Sequence, residues 1–169
     1  IDDIQKEADT INPDYLIVDT PGQIELFAYR QSGPFFVNEF QAEEKMNLFL
    51  FDGTMVSTPS NFVSLTLLST SIRLRLGLPT VNVITKSDLI QEKLEQVLSW
   101  SGTDSQLEAD LAGEVNGDTF SLVSDMLSSL NRHDFQQDLI PISNKTGDGM
   151  VNLQSALSRT INLGEEIED

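Results

Sequence analysis

The sequence predicts an α/β protein built on a parallel sheet, and two patterns carry that expectation. Four short runs, DYLIVD (14–19), NLFLFD (47–52), PTVNVIT (79–85) and DLIPIS (138–143), are continuously apolar rather than alternating. Such runs mark strands buried on both faces. Helical patterns separate them, so strand and helix alternate, as parallel strands joined by crossovers require.

The elements follow in chain order. DYLIVD leads into DTPGQ (19–23) and a helix start. NLFLFD is followed by a helix over Thr58–Leu76, with Thr58 suited to cap it and Pro59 to its first position, while Gly77 and Pro79 close it. After PTVNVIT comes a helical zone over 91–134, expected as an insertion within a single domain of residues 1–169. QEKLEQVLSW (91–100) begins it, and Phe120, Val123, Leu127 and Leu130 recur at helical spacing. SGTDSQ (101–106) and VNGDT (115–119) read as turns within it. A last helix should carry Met150, Leu153 and Leu157 on one face and end at Gly164, before the acidic EEIED. No internal repeat or low-complexity segment is present.

Composition narrows the function classes. A chain of 169 residues with 39% hydrophobic content can bury one sizeable core. The uncharged stretch Gly53–Ile72 is rich in Ser and Thr and contains Pro59, so it is not expected to span a membrane, and no secretory signal pattern is visible. Cysteine is absent, which excludes disulfides and thiolate metal sites and fits a reducing cytoplasm. The lone His133, in LNRHDFQQD, reads as an exposed loop residue rather than a ligand or base. NKT at Asn144 matches a glycosylation acceptor only formally. Ten Lys plus Arg against 27 Asp plus Glu leave a charge of −17, which repels nucleic acid and anionic membranes. The acidity reads as a solvated surface in preference to an acidic docking face.

Ligands of α/β sheets bind beyond the carboxyl ends of the strands, and three expected strand ends carry related chemistry. In DTPGQ, Asp19 can hold magnesium through water, since that ion prefers oxygen ligands and dehydrates reluctantly. Gly22 lets a backbone N–H approach a γ-phosphate, and Gln23 can orient an attacking water. An acid followed by glycine also makes ordinary turns. In VNVITKSDL, Asp88 can accept two hydrogen bonds from guanine, which adenine cannot supply, while Lys86 lays its methylene stem along the base. The plainer alternative is a helix start capped by Ser87 or Asp88. In PISNKTGDG, the Asn144 N–H can reach the guanine carbonyl oxygen and Lys145 can cover the other face of the base. Taken alone, that stretch reads as a Gly-rich loop before a helix.

Together, DTPGQIELF…SGP and NFVSLTLLSTSIRLRLGLPTVNVITKSDL closely resemble the GPN-loop GTPases, which are P-loop GTPases. The resemblance covers Asp14–Leu89 and resumes at LIPISNKTGDGM. It implies that Asp19–Gln23 is the D-x-P-G-Q segment, Thr85–Asp88 the guanine motif with Thr85 where most GTPases carry Asn, and Ser143–Lys145 the last base-contacting loop. By the same resemblance the protein is expected to bind GTP and GDP with magnesium, to hydrolyse GTP, to act as a homodimer and to serve a protein client in complex assembly. The sequence contains neither G-x-x-x-x-G-K-[ST] nor Gly-Pro-Asn; SGPFF (32–36) places Phe after Gly-Pro. In the family both motifs precede the D-x-P-G segment, so the chain is expected to be the carboxyl-terminal two-thirds of such a GTPase, binding GTP poorly and hydrolysing none by itself. The strand that would separate Asp14–Asp19 from Asn47–Asp52 is then lacking, so those two runs are expected to pair directly or to have another segment or chain between them. Two other classes stay open: a non-catalytic interaction module on this scaffold, and a related P-loop ATPase, against which TKSD argues.

Overall fold

The computed structural model describes residues 1–20, 22–102, 106–132 and 139–165. His133, Pro21, Asp138, residues 103–105 of SGTDSQ, the end of the helical zone at 133–134 and residues 166–169 of the acidic tail lie outside the described residues. Among the described residues, β1 (Asn47–Asp52), β2 (Thr80–Thr85) and β3 (Leu139–Pro141) form one parallel sheet in the order β1-β2-β3. Asn47 pairs with Thr80 through to Asp52 with Thr85, and Asn82 with Leu139 through to Ile84 with Pro141. The central strand, β2, is buried from Thr80 to Ile84, as a run without polar alternation should be. Its one amide side chain, Asn82, accepts a hydrogen bond from the Ser69 hydroxyl at 2.7 Å, so the buried polar group is satisfied.

The sheet is covered on one face and, over β2 and β3, on the other; β1 leaves Leu48 36% and Leu50 58% exposed there, so its apolar run is not buried on both faces as expected. On the first face, Phe49, Phe51 and Ile84 join Phe62, Val63 and Ile72 of α4 (Pro59–Leu76), together with Val97, Trp100, Leu107, Leu111 and Leu127. These last five come from the helical zone, α5 (Gln91–Ser99) with the Trp100 that ends it, α6 (Gln106–Leu111) and α7 (Gly117–Arg132). On the other face, Val81, Val83, Ile140 and Ile142 pack against Leu153, Ala156 and Leu157 of α8 (Met150–Glu165). Helices α1 (Asp2–Ile11), α2 (Ile24–Tyr29) and α3 (Ser32–Glu39) precede the sheet. Ala28 of α2 is fully buried, and its carbonyl accepts a bond from Arg75 Nε of α4 at 3.2 Å.

Several expectations need correction. The run Asp14–Asp19 is not a strand: it is unpaired, and Tyr15, Leu16, Ile17 and Val18 are exposed, Ile17 to 85%. Among the described residues it neither pairs with β1 nor has a segment of this chain between itself and β1 in the sheet. A run with no strand beside it has no ladder to join. Gly164 does not end the last helix, which continues to Glu165; a helical glycine costs only about 1 kcal/mol. Met150 is 36% exposed, leaving Leu153, Ala156 and Leu157 as the packed face.

Of VNGDT, only Val115 and Asn116 lie outside helix. The Asn116 side-chain oxygen accepts the Thr119 N–H at 3.0 Å and starts α7. Helix α4 has its expected bounds, with Gly77 left-handed at φ 68 and its N–H on the Arg73 carbonyl. Its side-chain cap, however, is not Thr58. The carboxylate of Glu114, between α6 and α7, accepts the Ser60 N–H at 3.0 Å instead, a favourable charge at a helix N-terminus.

Candidate nucleotide-binding site

Two loops meet at the carboxyl ends of β2 and β3, stitched by backbone and side chain alike. Beyond the paired strands, the Ile142 N–H donates to the Ile84 carbonyl at 2.8 Å and the Ser87 N–H to the Ile142 carbonyl at 3.1 Å. Ser143, fully buried, donates its hydroxyl proton to Asp88 Oδ1 at 2.7 Å. The Ser143 hydroxyl oxygen in turn accepts the N–H groups of Lys145 and Thr146, each at 3.2 Å. Asp88 therefore takes its hydrogen bond from the other loop, not from the turn Ser87–Leu89 in which it sits, as a capping residue would. Its other carboxylate oxygen carries no protein hydrogen bond among the described residues. Asn144 and Lys145 are exposed beside it. Close packing shapes the second loop: Gly149 has φ 79, and a Cβ there would lie 1.9 Å from the Pro141 carbonyl oxygen.

Thr85 and Lys86 occupy the near side of this pair of loops. Thr85 is half-buried and its hydroxyl donates to the Phe51 carbonyl of β1 at 3.2 Å. Lys86 has a left-handed backbone, φ 56, and its Nζ lies 2.6 Å from Asp52 Oδ2. That ammonium, with the Thr54 hydroxyl, holds the Asp52 carboxyl below its ordinary value of 3.8. Asp52 is the residue that sequence reasoning passed over. A signal was present: like Asp19, it is an acid closing an apolar run.

The other candidates stand apart from these loops. Asp19, Gly22 and Gln23 are exposed, and Gln23 sits at the N-cap of α2, its carbonyl accepting the Leu26 N–H at 2.9 Å. Among the described residues no hydrogen bond links Asp19, Gly22 or Gln23 to residues 85–88 or 143–145. None of the described residues forms a group of three or more His, Cys, Asp or Glu able to cage a metal. A magnesium ion completed by phosphate oxygens and water needs few protein ligands, and the exposed Asp19 carboxylate fits that minimal role. The open Asp88 carboxylate oxygen is an acceptor of the kind that paired donors on a purine require. The sequence contains no G-x-x-x-x-G-K-[ST], and Lys86 is paired with Asp52.

Known proteins share this arrangement of chain. The family described as "conserved hypothetical ATP binding protein" matches residues 1–163. GPN-loop GTPase 3 of Eremothecium gossypii is 27% identical over 99% of this chain and 64% of its own length. GPN-loop GTPase QQT2 of Arabidopsis thaliana is 30% identical over 91% of this chain and 40% of its own. The crystal structure of a GTPase from Pyrococcus abyssi in apo form superposes with a TM-score of 0.78 at 20% identity, covering 94% of this chain and 64% of that one, so the fold is that of a P-loop GTPase. The chain thus spans 40% to 64% of the lengths of these proteins. With the match over residues 1–163 and relatives that agree in kind, the chain belongs to the GPN-loop GTPase family.

Proposed function

We propose that the ends of β2 and β3 form the guanine-reading part of a GTP-hydrolysing switch protein. The observation that carries this reading is the Ser143–Asp88 hydrogen bond, which ties the two loops into one site and leaves a carboxylate oxygen open. In it, Asp88 accepts the ring N–H and exocyclic amine of guanine, the Asn144 N–H reaches the carbonyl oxygen, and Lys86 and Lys145 cover the two faces. Thr85 and Ser143 hold the loops in place. Gly22 and Gln23 serve the phosphate end, Gln23 by orienting water, and Asp19 contributes an oxygen to magnesium. The 169-residue chain, with no neutralising cradle for a tetra-anion, binds GTP poorly and turns none over. Activity is a property of the full-length protein, as are homodimerisation, a client in protein-complex assembly and a cytoplasmic location. Residues 91–134 are an insertion within one GTPase domain.

A second reading is an ATP site, which the family description names. Asp88→Asn separates the two in the full-length protein. The amide presents a donor where guanine presents another, but it satisfies the extra carbonyl of xanthine. GTP binding should weaken by about one to three orders of magnitude and xanthosine triphosphate binding should improve. If neither affinity moves, the guanine assignment fails and the ATP reading takes its place. Gln23→Ala should slow hydrolysis with little change in nucleotide affinity, because its interaction belongs to the transition state. Normal turnover with lost affinity would make Gln23 a binding residue instead.

A further inference from the structure

Asp52, at the carboxyl end of β1, has no part in reading guanine, yet it is bound to a residue that does. It is the last residue of the strand and lies opposite Thr85 in the ladder. Oδ1 accepts the Thr54 N–H at 2.9 Å and the Thr54 hydroxyl at 2.7 Å, which fixes the carboxylate and leaves Oδ2 to Lys86 Nζ at 2.6 Å. The backbone beneath the pair is fixed too. The Gly53 N–H donates to the Thr85 carbonyl at 3.0 Å, and a Cβ on Gly53 would come within 2.6 Å of that oxygen. Lys86 itself adopts φ 56, a region that disfavours residues with a side chain. Such outliers persist where the surroundings over-determine them, and they gather at ligand sites.

A lysine left free on a surface samples many rotamers and must surrender that freedom when it orders against a ligand. One whose ammonium is anchored has surrendered it beforehand. We infer that Asp52 is a positioning residue: it anchors the Lys86 ammonium so that the methylene stem lies across the ends of β2 and β1 as a ready ledge for one face of the base. Asp52 touches no nucleotide and acts only through Lys86. The inference rests on the guanine reading of Asp88 and adds to it a reason for the lysine's orientation.

A double-mutant cycle on GDP affinity in the full-length protein tests it. Asp52→Asn keeps an acceptor for Thr54 but removes the anchoring charge, and should weaken GDP about 5- to 20-fold. Lys86→Ala should weaken it at least as much. The combined variant should then be no worse than Lys86→Ala alone, within about twofold, because Asp52 works through that lysine. Losses that multiply would overturn the inference, as would an Asp52→Asn protein with unchanged affinity. The Asp88→Asn measurement separates the two levels. A switch to xanthosine with multiplying losses removes only the role of Asp52, whereas no switch removes the guanine reading and this inference with it. Should Asp52→Asn fail to fold, carbon-detected titration of Asp52 in the Lys86→Ala chain decides. Its midpoint should rise toward 3.8 when the lysine is lost, and an unmoved midpoint overturns the anchoring.

Discussion

The ends of β2 and β3 and the stretch Asp14–Gln23 are held by opposite means. At the first, a buried serine hydroxyl gathers Asp88 and two backbone N–H groups, and strand pairing continues almost to the loop tips. At the second, an apolar tetrad lies in solvent, and attachment begins where α2 packs Ile24 on the core and buries Ala28. Both stretches are apolar runs that lead into motif residues. The difference is one of neighbours: β2 has a strand on each side and a helix layer on each face, whereas Asp14–Asp19 has no strand at all. Burial of an apolar run is a property of what surrounds it. A β-forming run whose slot in the sheet is unpaired stays outside.

The same substitution in the two regions should give the widest separation. Ile84 is fully buried and Ile17 is 85% exposed. Ile84→Ala should cost about 2–5 kcal/mol in urea unfolding of this chain, while Ile17→Ala should stay within about 0.5 kcal/mol. A cost above about 1.5 kcal/mol at Ile17 would break the comparison, because it would mean that the segment packs in solution.

Ser143→Ala sharpens the account of the first region. It deprives Asp88 of its bond and two N–H groups of their acceptor in a fully buried place. The expected loss is about 1–3 kcal/mol, with weaker GDP binding in the full-length protein. An unchanged unfolding midpoint would show that the backbone bonds of Ser87 and Ile142 hold the loops unaided.

What could be read in the sequence was whatever depends on neighbours along the chain. Pro59 and Gly77 bound α4 where expected, and NLFLFD is β1 residue for residue. The pairing of Ser143 with Asp88 was implied only by motif order. The features that escaped depend on side chains far apart in sequence that the fold brings together. Glu114 caps a helix 54 residues away, and Asp110 reaches across from α6 to the Trp100 indole N–H and Gln96 at the end of α5. Nothing local to Glu114 or Asp110 distinguishes them from the other acids of so acidic a chain. DYLIVD failed for the converse reason: its pattern is that of a strand, but a pattern does not supply the partners that a ladder requires.

The smallest effect concerns the Lys86–Asp52 ion pair and takes its sign from linkage. The Lys86 ammonium and Thr54 hold the folded-state pKa of Asp52 below its unfolded value near 3.8. Between the two values the unfolded chain binds more protons, so stability rises with pH across that window. The contribution is complete above about 3.8 and is lost as pH falls through the folded value. With Lys86 55% and Asp52 31% exposed, solvent screens the pair, and its worth is at most about 1 kcal/mol. Lys86→Ala should therefore be slightly less stable than the wild-type chain at pH 7, and the gap should close as pH falls below 3.8. Taking the difference between the two proteins cancels the titration of groups the lysine does not touch, Asp110 among them. Molar salt should narrow the gap at pH 7. A gap that persists undiminished at low pH would assign the loss to the packing of the lysine stem, and with it the hold that distinguishes this end of the sheet from the exposed run at Asp14–Asp19.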